Sequence, residues 1–236
     1  MRLLNLTHPD LTENLAIDEA LLVEREMRPE RGEILRFWEI HYHAVVLGSG
    51  GIVRDDVDVE ACQRDGIPLA RRSSGGGTVL LGPGCLLYSL VLDMEANSAL
   101  AGISTSYDFI MGVMARAIGT GATMEGSSDL AIARLKFSGN AQQRKKRFLL
   151  HHGTILVNFD LGLVPRYLRP PPRQPEYRKG REHHSFIRNL GGTVEVIRQQ
   201  VAAAWHAVEA GACPDESVVA QCLRDRFLQP GWVFRR

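Results

Sequence analysis

Apolar residues along this chain recur at two spacings, and the two alternate in blocks. In NLAIDEALLVERE, residues 14–26, Ala16, Ala20 and Val23 fall at i, i+4 and i+7, which predicts an amphipathic helix capped by Thr12 or Asn14. ILRFWEI (34–40) and AVVLG (44–48) are β-rich runs, expected as neighbouring strands on a short connection, and VDVEACQRDG (57–66) predicts a helix ending at Gly66. IPLARR then enters RRSSGGGT (71–78) as a strand. TVLLG and LLYSLVLD flank GPG at 82–84, so a hairpin is expected there. SYDFIMGVMARAI (106–118) has helical character. From residue 128 the pattern returns to strands in DLAIA, LKFSGNAQ and FLLHHGTILVNFD, with antiparallel turns at RL and QQRKKR. RPPPRQPEYRKGREHHS (169–185) is too rich in proline and charge for a regular element and reads as a long surface loop. Val194, Ile197, Val201, Trp205 and Val208 mark one face of a helix over 193–210, and a second, shorter helix is expected over 216–227. Clustered strands with peripheral helices give an α+β class. No linker divides residues 1–236, which read as one domain.

Composition narrows the partners. The 236 residues carry 28 Lys+Arg against 27 Asp+Glu, a formal charge of +1, so no overall field favours nucleic acid or an anionic membrane. Any basic site is local. No run approaches the roughly 20 apolar residues of a membrane span. Cys62, Cys85, Cys213 and Cys222 form no C-x-x-C pair, and the N-terminus has polar residues where a signal peptide needs an apolar core. A reducing, cytoplasmic setting is the expectation.

Two segments carry chemistry. Gly75, Gly76 and Gly77 follow a strand and bare their backbone N–H groups to an anionic ligand, with Arg71 and Arg72 adding charge. Neither a Walker A loop nor the dinucleotide G-x-G-x-x-G spacing is present, and taken alone the run equally suits a structural turn. The second segment is KFSGNA, 136–141. There Lys136 on a strand can offer its ammonium to a carboxylate or phosphate, beside Ser138 and a Gly139 that admits close backbone approach.

RRSSGGGTV, SDLAI, LKFSGNAQ and HHGTILVN, in this order and preceded by NLAIDEA and VVLGSGG, resemble the catalytic domain of the lipoate-protein ligase and octanoyltransferase superfamily, distantly related to biotin-protein ligases. The lipoate-protein ligase branch is the nearer one. The resemblance implies a biotin/lipoate-ligase-like fold of mixed, largely antiparallel sheets flanked by helices, with the acyl group in a tunnel. It implies that Lys136 contacts the acyl carboxyl and phosphate oxygens. It assigns Arg72 with Gly77, Thr78, Val79 and Leu80 to the nucleotide and acyl-phosphate, Asp129 to orienting the lysine or adenylate, and His152 with Gly153 to the strand lining the site. ATP, Mg²⁺ and lipoate or octanoate follow as ligands, and a lipoyl-carrier domain as acceptor.

Plainer readings stand beside these. Asp129 could satisfy a turn, Lys136 could be a solvated lysine, and of His151 and His152 only one can face a pocket from a strand, with His152 favoured. RKKR (144–147) reads as a solvated hairpin tip, or else as a contact for an acidic carrier. A zinc site lacks ligands at the right spacing. The chain also departs from the family. LLGPGC stands where many ligases have a histidine pair, Ser127 and Ser128 stand where a thioester-forming relative has cysteine, and Cys85 reads as a small buried residue. Absence of a placed thiol favours ATP-dependent ligation through an acyl-adenylate. The alternatives are ATP-independent acyl transfer between carriers, or a non-catalytic acyl- or adenylate-binding module. Too few residues follow Gly211 for the C-terminal accessory domain of longer ligases, so the expectation is a separate partner subunit, a compact ligase, or a protein that only transfers.

Overall fold

The computed structural model describes residues 1–119, 121–171 and 174–235. Strand β1 (Arg2–Asn5) leads into helix α1 (Leu11–Met27), then strands β2 (Ile34–Trp38) and β3 (Ala44–Leu47), and short helices α2 (Val53–Asp56) and α3 (Val59–Arg64). Strands β4 (Leu69–Arg71), β5 (Val79–Leu81) and β6 (Cys85–Asp93) precede helix α4 (Ile103–Ile118). A run of strands follows: β7 (Thr123–Glu125), β8 (Asp129–Ile132), β9 (Leu135–Arg144) and β10 (Phe148–Leu156). Helices α5 (Val164–Tyr167), α6 (His183–Phe186) and α7 (Val194–Ala204), strand β11 (Glu209–Ala210) and helix α8 (Glu216–Cys222) complete the order. The strands form an eight-stranded sheet, β11-β1-β2-β6-β10-β9-β8-β7, and a three-stranded sheet, β4-β3-β5. This mixed, largely antiparallel α+β architecture matches the expected class.

Strand β6 is buried along its whole length, and its period-2 alternation separates two cores. Leu86, Tyr88, Leu90 and Leu92 face α4 and α7 with Met111, Met114 and Trp205. Cys85 and Leu87 face the small sheet and α1, among Leu15, Ala20, Val45 and Leu47. Helix α1 is therefore sandwiched rather than laid on a surface, and buries Leu21 and Leu22 as well as Ala16 and Ala20. Each large apolar side chain buried in this way contributes roughly 1.5–3 kcal/mol.

Several local expectations need correction. Asp10, not Thr12 or Asn14, caps α1, its side chain accepting from the Glu13 N–H at 2.9 Å. Strands β2 and β3 are not partners, because β2 is paired on both sides, parallel to β1 and antiparallel to β6. No hairpin forms at GPG. Strand β5 pairs with β3 in the small sheet, while β6 enters the large one. Gly84 makes the crossing possible: at φ +86° its carbonyl accepts from the N–H groups of Val157 and Asn158, and a Cβ would overlap the backbone there. The antiparallel run β8, β9, β10 forms as expected. Its first turn holds Ala133 and Arg134 at φ +50° and +62°, the left-handed pair of a type I′ turn. At the second turn Lys145 and Lys146 are exposed, but Arg147 pairs with Asp93 at 2.7 Å and Arg144 donates to the Leu100 and Ala101 carbonyls. Val208 lies beyond α7 and is 82% exposed. Among the described residues no helix is long and apolar enough to cross a membrane.

Candidate functional site

Lys136 stands where two cavities meet. The inner one, about 130 Å³, is a tunnel between the sheets, walled by Leu15, Trp38, Val46, Leu81 and Leu87 and reaching Asp18, Ser89 and His152. The outer one, about 470 Å³, is a vestibule bordered by Asp56, Arg169, Arg178 and His183. Gly77, Thr78, Val79, Asp129, Lys136 and Gly139 border both. Thus a narrow slot opens through a charged junction into a larger space whose rim carries several charged side chains.

The junction is built by strand geometry. In β8, Asp129 pairs with Gly139 of β9, and the Lys136 side chain runs back across Gly139 to place Nζ 2.7 Å from Asp129 Oδ1. A Cβ on residue 139 would stand 2.8 Å from that Nζ, so a side chain there would push the end of the lysine off this path. Tyr177 donates to the second carboxylate oxygen of Asp129 at 2.7 Å. Asp129 therefore holds the ammonium from one side and leaves its other side toward both cavities. The Asp129 carboxylate is thus bonded to Lys136 and to Tyr177.

A second glycine serves Asn140. Gly153 of β10 is flanked by Tyr88 of β6 and Asn140 of β9, and a Cβ there would overlap Asn140 Oδ1. With hydrogen in its place, Tyr88 reaches across and donates to that oxygen at 2.5 Å, while Asn140 Nδ2 donates to the Ser128 carbonyl at 2.9 Å. Burial raises the Tyr88 phenol far above its usual range, so it remains a donor. The adjacent histidines take opposite faces. His151 is fully buried and pushed down to about 3 by burial; Gln142 donates to its Nδ1, which places the proton of this neutral ring on Nε2. His152 borders the tunnel.

Behind the tunnel runs a polar chain that sequence reading did not assemble. Arg36, fully buried on β2, binds Asp18 Oδ1 of α1 at 2.6 Å and also donates to Asn14 and to the Leu6 carbonyl. Ser89 donates to Asp18 Oδ2 at 2.7 Å, and His152 Nδ1 lies 3.7 Å from the same oxygen. Burial works to raise the Asp18 pKa, but Arg36, His152 and Ser89 outweigh it and hold the group below its ordinary 3.8. His152 Nε2 and Ser74 Oγ share a 2.5 Å hydrogen bond. Asp18, His152 and Ser74 have the chemistry of a nucleophile triad, but Ser74 is 1% exposed and borders neither cavity. Its hydroxyl accepts from Arg72 Nε at 3.1 Å instead, and the chain acts as a strut for the glycine run.

The two arginines of that run divide the work. Arg71 is buried and donates to the Gly48, Gly51, Trp232 and Val233 carbonyls, while Trp232 Nε1 returns a 2.7 Å bond to the Arg71 carbonyl. It holds the C-terminal segment against the small sheet and faces neither cavity. Arg72 borders the tunnel and donates through Nη2 to the Gly75 and Gly77 carbonyls at 2.6 and 2.8 Å. Burial lowers its pKa to about 10, so it stays cationic with no carboxylate within 4.0 Å among the described residues. Gly76, Gly77, Thr78 and Val79 border the tunnel, and Leu80 and Ser138 the vestibule; Gly75 borders neither. Thr78 is fixed by a 2.7 Å bond to Asp56. Gly48 backs the run so closely that a Cβ would overlap the Gly76 carbonyl. Gly48→Ala is expected to cost about 1–3 kcal/mol, seen as a Tm lowered by several degrees. Gly75→Ala, with open space around it, is the control that should leave Tm in place.

The loop over 169–185 is not a free surface excursion. Apart from residues 172 and 173, which lie outside the described residues, it packs back as a vestibule wall, burying Tyr177, Arg178 and His183. No cluster of three or more His, Cys, Asp or Glu side chains converges among the described residues, and Asp129 is engaged by Lys136 and Tyr177. The donor set does not fit a resident Mg²⁺ site. Tyr88, Asp18, Ser74 and Arg178 were missed by sequence reading. The available signal was polar residues inside apolar elements, Asp18 in NLAIDEA and Tyr88-Ser89 in LLYSLVLD.

Residues 10–206 match the model of the lipoyl protein ligase A/B catalytic domain. The fold is shared with a bipartite lipoate protein ligase of Thermoplasma acidophilum, studied with its E2 lipoyl domain, at 23% identity and a TM-score of 0.81 over 99% of this chain and 95% of that one. It is shared with a lipoate-protein ligase A bound with ATP at 21% identity and a TM-score of 0.80, over 99% and 98%. LipL1 of P. falciparum, in complex with lipoate, matches at 17% identity and a TM-score of 0.77, over 100% of this chain and 74% of that one. With the family model spanning all of the strands that build the junction, the chain belongs to the lipoyl protein ligase A/B catalytic-domain family.

Proposed function

We propose that this protein joins lipoate, or a related medium-chain acid, to a specific lysine of a lipoyl-carrier domain through an acyl-adenylate made from ATP. The observation that carries this reading is Lys136, held by Asp129 among the residues that border both cavities. The acid lies in the apolar tunnel with its carboxylate at Lys136, and the nucleotide enters from the vestibule. A carboxylate oxygen attacks the α-phosphorus and pyrophosphate leaves. The neutral amine of the carrier lysine then attacks the acyl carbon, the C–O bond breaks, AMP departs with its electron pair, and the new amide nitrogen gives up one proton to solvent. Lys136 and Arg72 neutralise charge on the carboxylate and phosphate, and the N–H groups of the glycine run add fixed donors. Any Mg²⁺ travels with the nucleotide's phosphates, and no step here depends on it.

None of the four cysteines borders either cavity, and burial pushes the Cys85 thiol up to about 12, which supports adenylate chemistry over a thioester route. The T. acidophilum relative is bipartite, which supports a separate accessory subunit here too. The test is the mass of a lipoyl domain after incubation with this protein and lipoate, with and without ATP and with and without a candidate accessory subunit. An ATP-dependent lipoyl adduct is expected. Transfer from an acylated carrier without ATP replaces ligation with acyl transfer, and no adduct under any condition leaves only a binding module.

A further inference from the structure

We propose that Arg178 binds the β- and γ-phosphates of the nucleotide, the portion that leaves as pyrophosphate. This rests on the adenylate-forming reading above and adds a residue to it. Arg178 is 3% exposed on the vestibule wall, and its Nη2 has no hydrogen-bond partner among the described residues. Its Nε donates to the Arg181 carbonyl at 2.8 Å, and the guanidinium lies 4.7 Å over the Phe186 ring. These two contacts fix the plane of the guanidinium, and Nη2, shielded from solvent within the vestibule wall, is left without an acceptor among the described residues. No carboxylate lies within 4.0 Å of it among the described residues. A buried guanidinium nitrogen without an acceptor is costly, and an anion in the adjoining cavity removes the cost.

The order of cations along the path says which anion. Arg72 borders the tunnel alone, Lys136 borders both spaces, and Arg178 borders the vestibule alone. With the acid in the tunnel and its carboxylate at Lys136, the α-phosphate is the next group outward. The β- and γ-phosphates lie beyond it, on the side where His183 and Arg169 join Arg178. As the bond from the α-phosphorus to the bridging oxygen breaks, the electron pair goes to pyrophosphate, and a planar two-nitrogen fork suits its oxygens. Arg178 thus serves the first half of the reaction and is idle in the second, when pyrophosphate is gone.

The test separates the halves. In Arg178→Gln, the KM for ATP in acyl-adenylate formation is expected to rise about tenfold or more, while acyl transfer from presynthesised lipoyl-adenylate to the lipoyl domain stays within about twofold of the parent. Arg178→Lys, which keeps the charge and loses the fork, should fall between and serves if the glutamine variant does not fold. Equal losses in both halves mean that Arg178 only braces the wall against Phe186 and overturn the proposal, as does no loss in either. Calorimetric titration with inorganic pyrophosphate reads the site even if the parent forms no adenylate, an outcome that would sink the ligase reading by itself. Parent binding weakened about tenfold in Arg178→Gln supports Arg178; equal binding, or none by the parent, rules it out.

Discussion

Lys136→Ala is expected to lower kcat/KM for carrier modification on the order of 10²–10³-fold, the loss typical of removing one fixed charge-stabilising donor from a reaction centre. Among the described residues the lysine is the cation that borders the tunnel and the vestibule together. Truncation leaves acid and nucleotide to repel each other across that point. Folding should survive. Asp129 keeps the Tyr177 hydrogen bond and borders two cavities that water can enter, so its carboxylate is not stranded, and Tm should move by no more than a few degrees. Asp129→Asn makes the complementary case: Lys136 stays but loses the anion that aims it, and turnover should fall by less than in Lys136→Ala. Steady-state rates with saturating and limiting ATP, beside a melting curve, check both. Full turnover in Lys136→Ala would remove the ligase mechanism.

Arg36→Met is expected to destabilise the fold by about 3–5 kcal/mol, the scale for removing one partner of a buried ion pair. Asp18 would remain buried, and the Asn14 and Leu6 carbonyls would lose their donor. The pH dependence should also change sign. In the parent, Asp18 is held below its ordinary 3.8; its contribution is present above that value and is lost as pH falls through the lower folded pKa. Without Arg36, desolvation dominates and the folded pKa rises above the unfolded one. The folded state then binds the proton more tightly, and the variant's deficit should shrink as pH is lowered toward the unfolded value. Denaturant melts of parent and variant at neutral and mildly acidic pH would show it. A deficit that is constant with pH would place the cost in the lost carbonyl contacts alone.

The residues that give the site its chemistry were legible because they are local. Lys136, Ser138 and Gly139 sit within four residues of one strand, and strand alternation alone separated His151 from His152. The antiparallel run from Asp129 to Leu156 was equally plain, since each turn joins sequence neighbours. What was hidden depends on distant partners. GPG carries every local mark of a hairpin, yet Gly84 is captured by Val157 and Asn158, more than seventy positions away, and the flanking strands part into different sheets. Arg71 and Arg72 are adjacent and alike in sequence. Bonds to the Trp232 and Val233 carbonyls, in the C-terminal segment, make the first a fastener, while the second borders the tunnel. Arg178 was hidden inside a proline-rich stretch, where composition argues for exposure and packing against Phe186 decides otherwise.

Under the proposed function, the crossing at Gly84 would also make the substrate part of the protein's interior. Because β5 and β6 separate there, the tunnel is a seam between two sheets, and an acyl chain filling it would supply apolar contacts to both sides at once. The acid would act as the last piece of core. Amides of β3, β4 and β5 should therefore exchange with solvent faster than those of β6 in the empty protein and slow when lipoate is added, with Tm rising by mass action as the acid is titrated. Recognition of the acid and cohesion of the two sheets would then be measured by the same free energy.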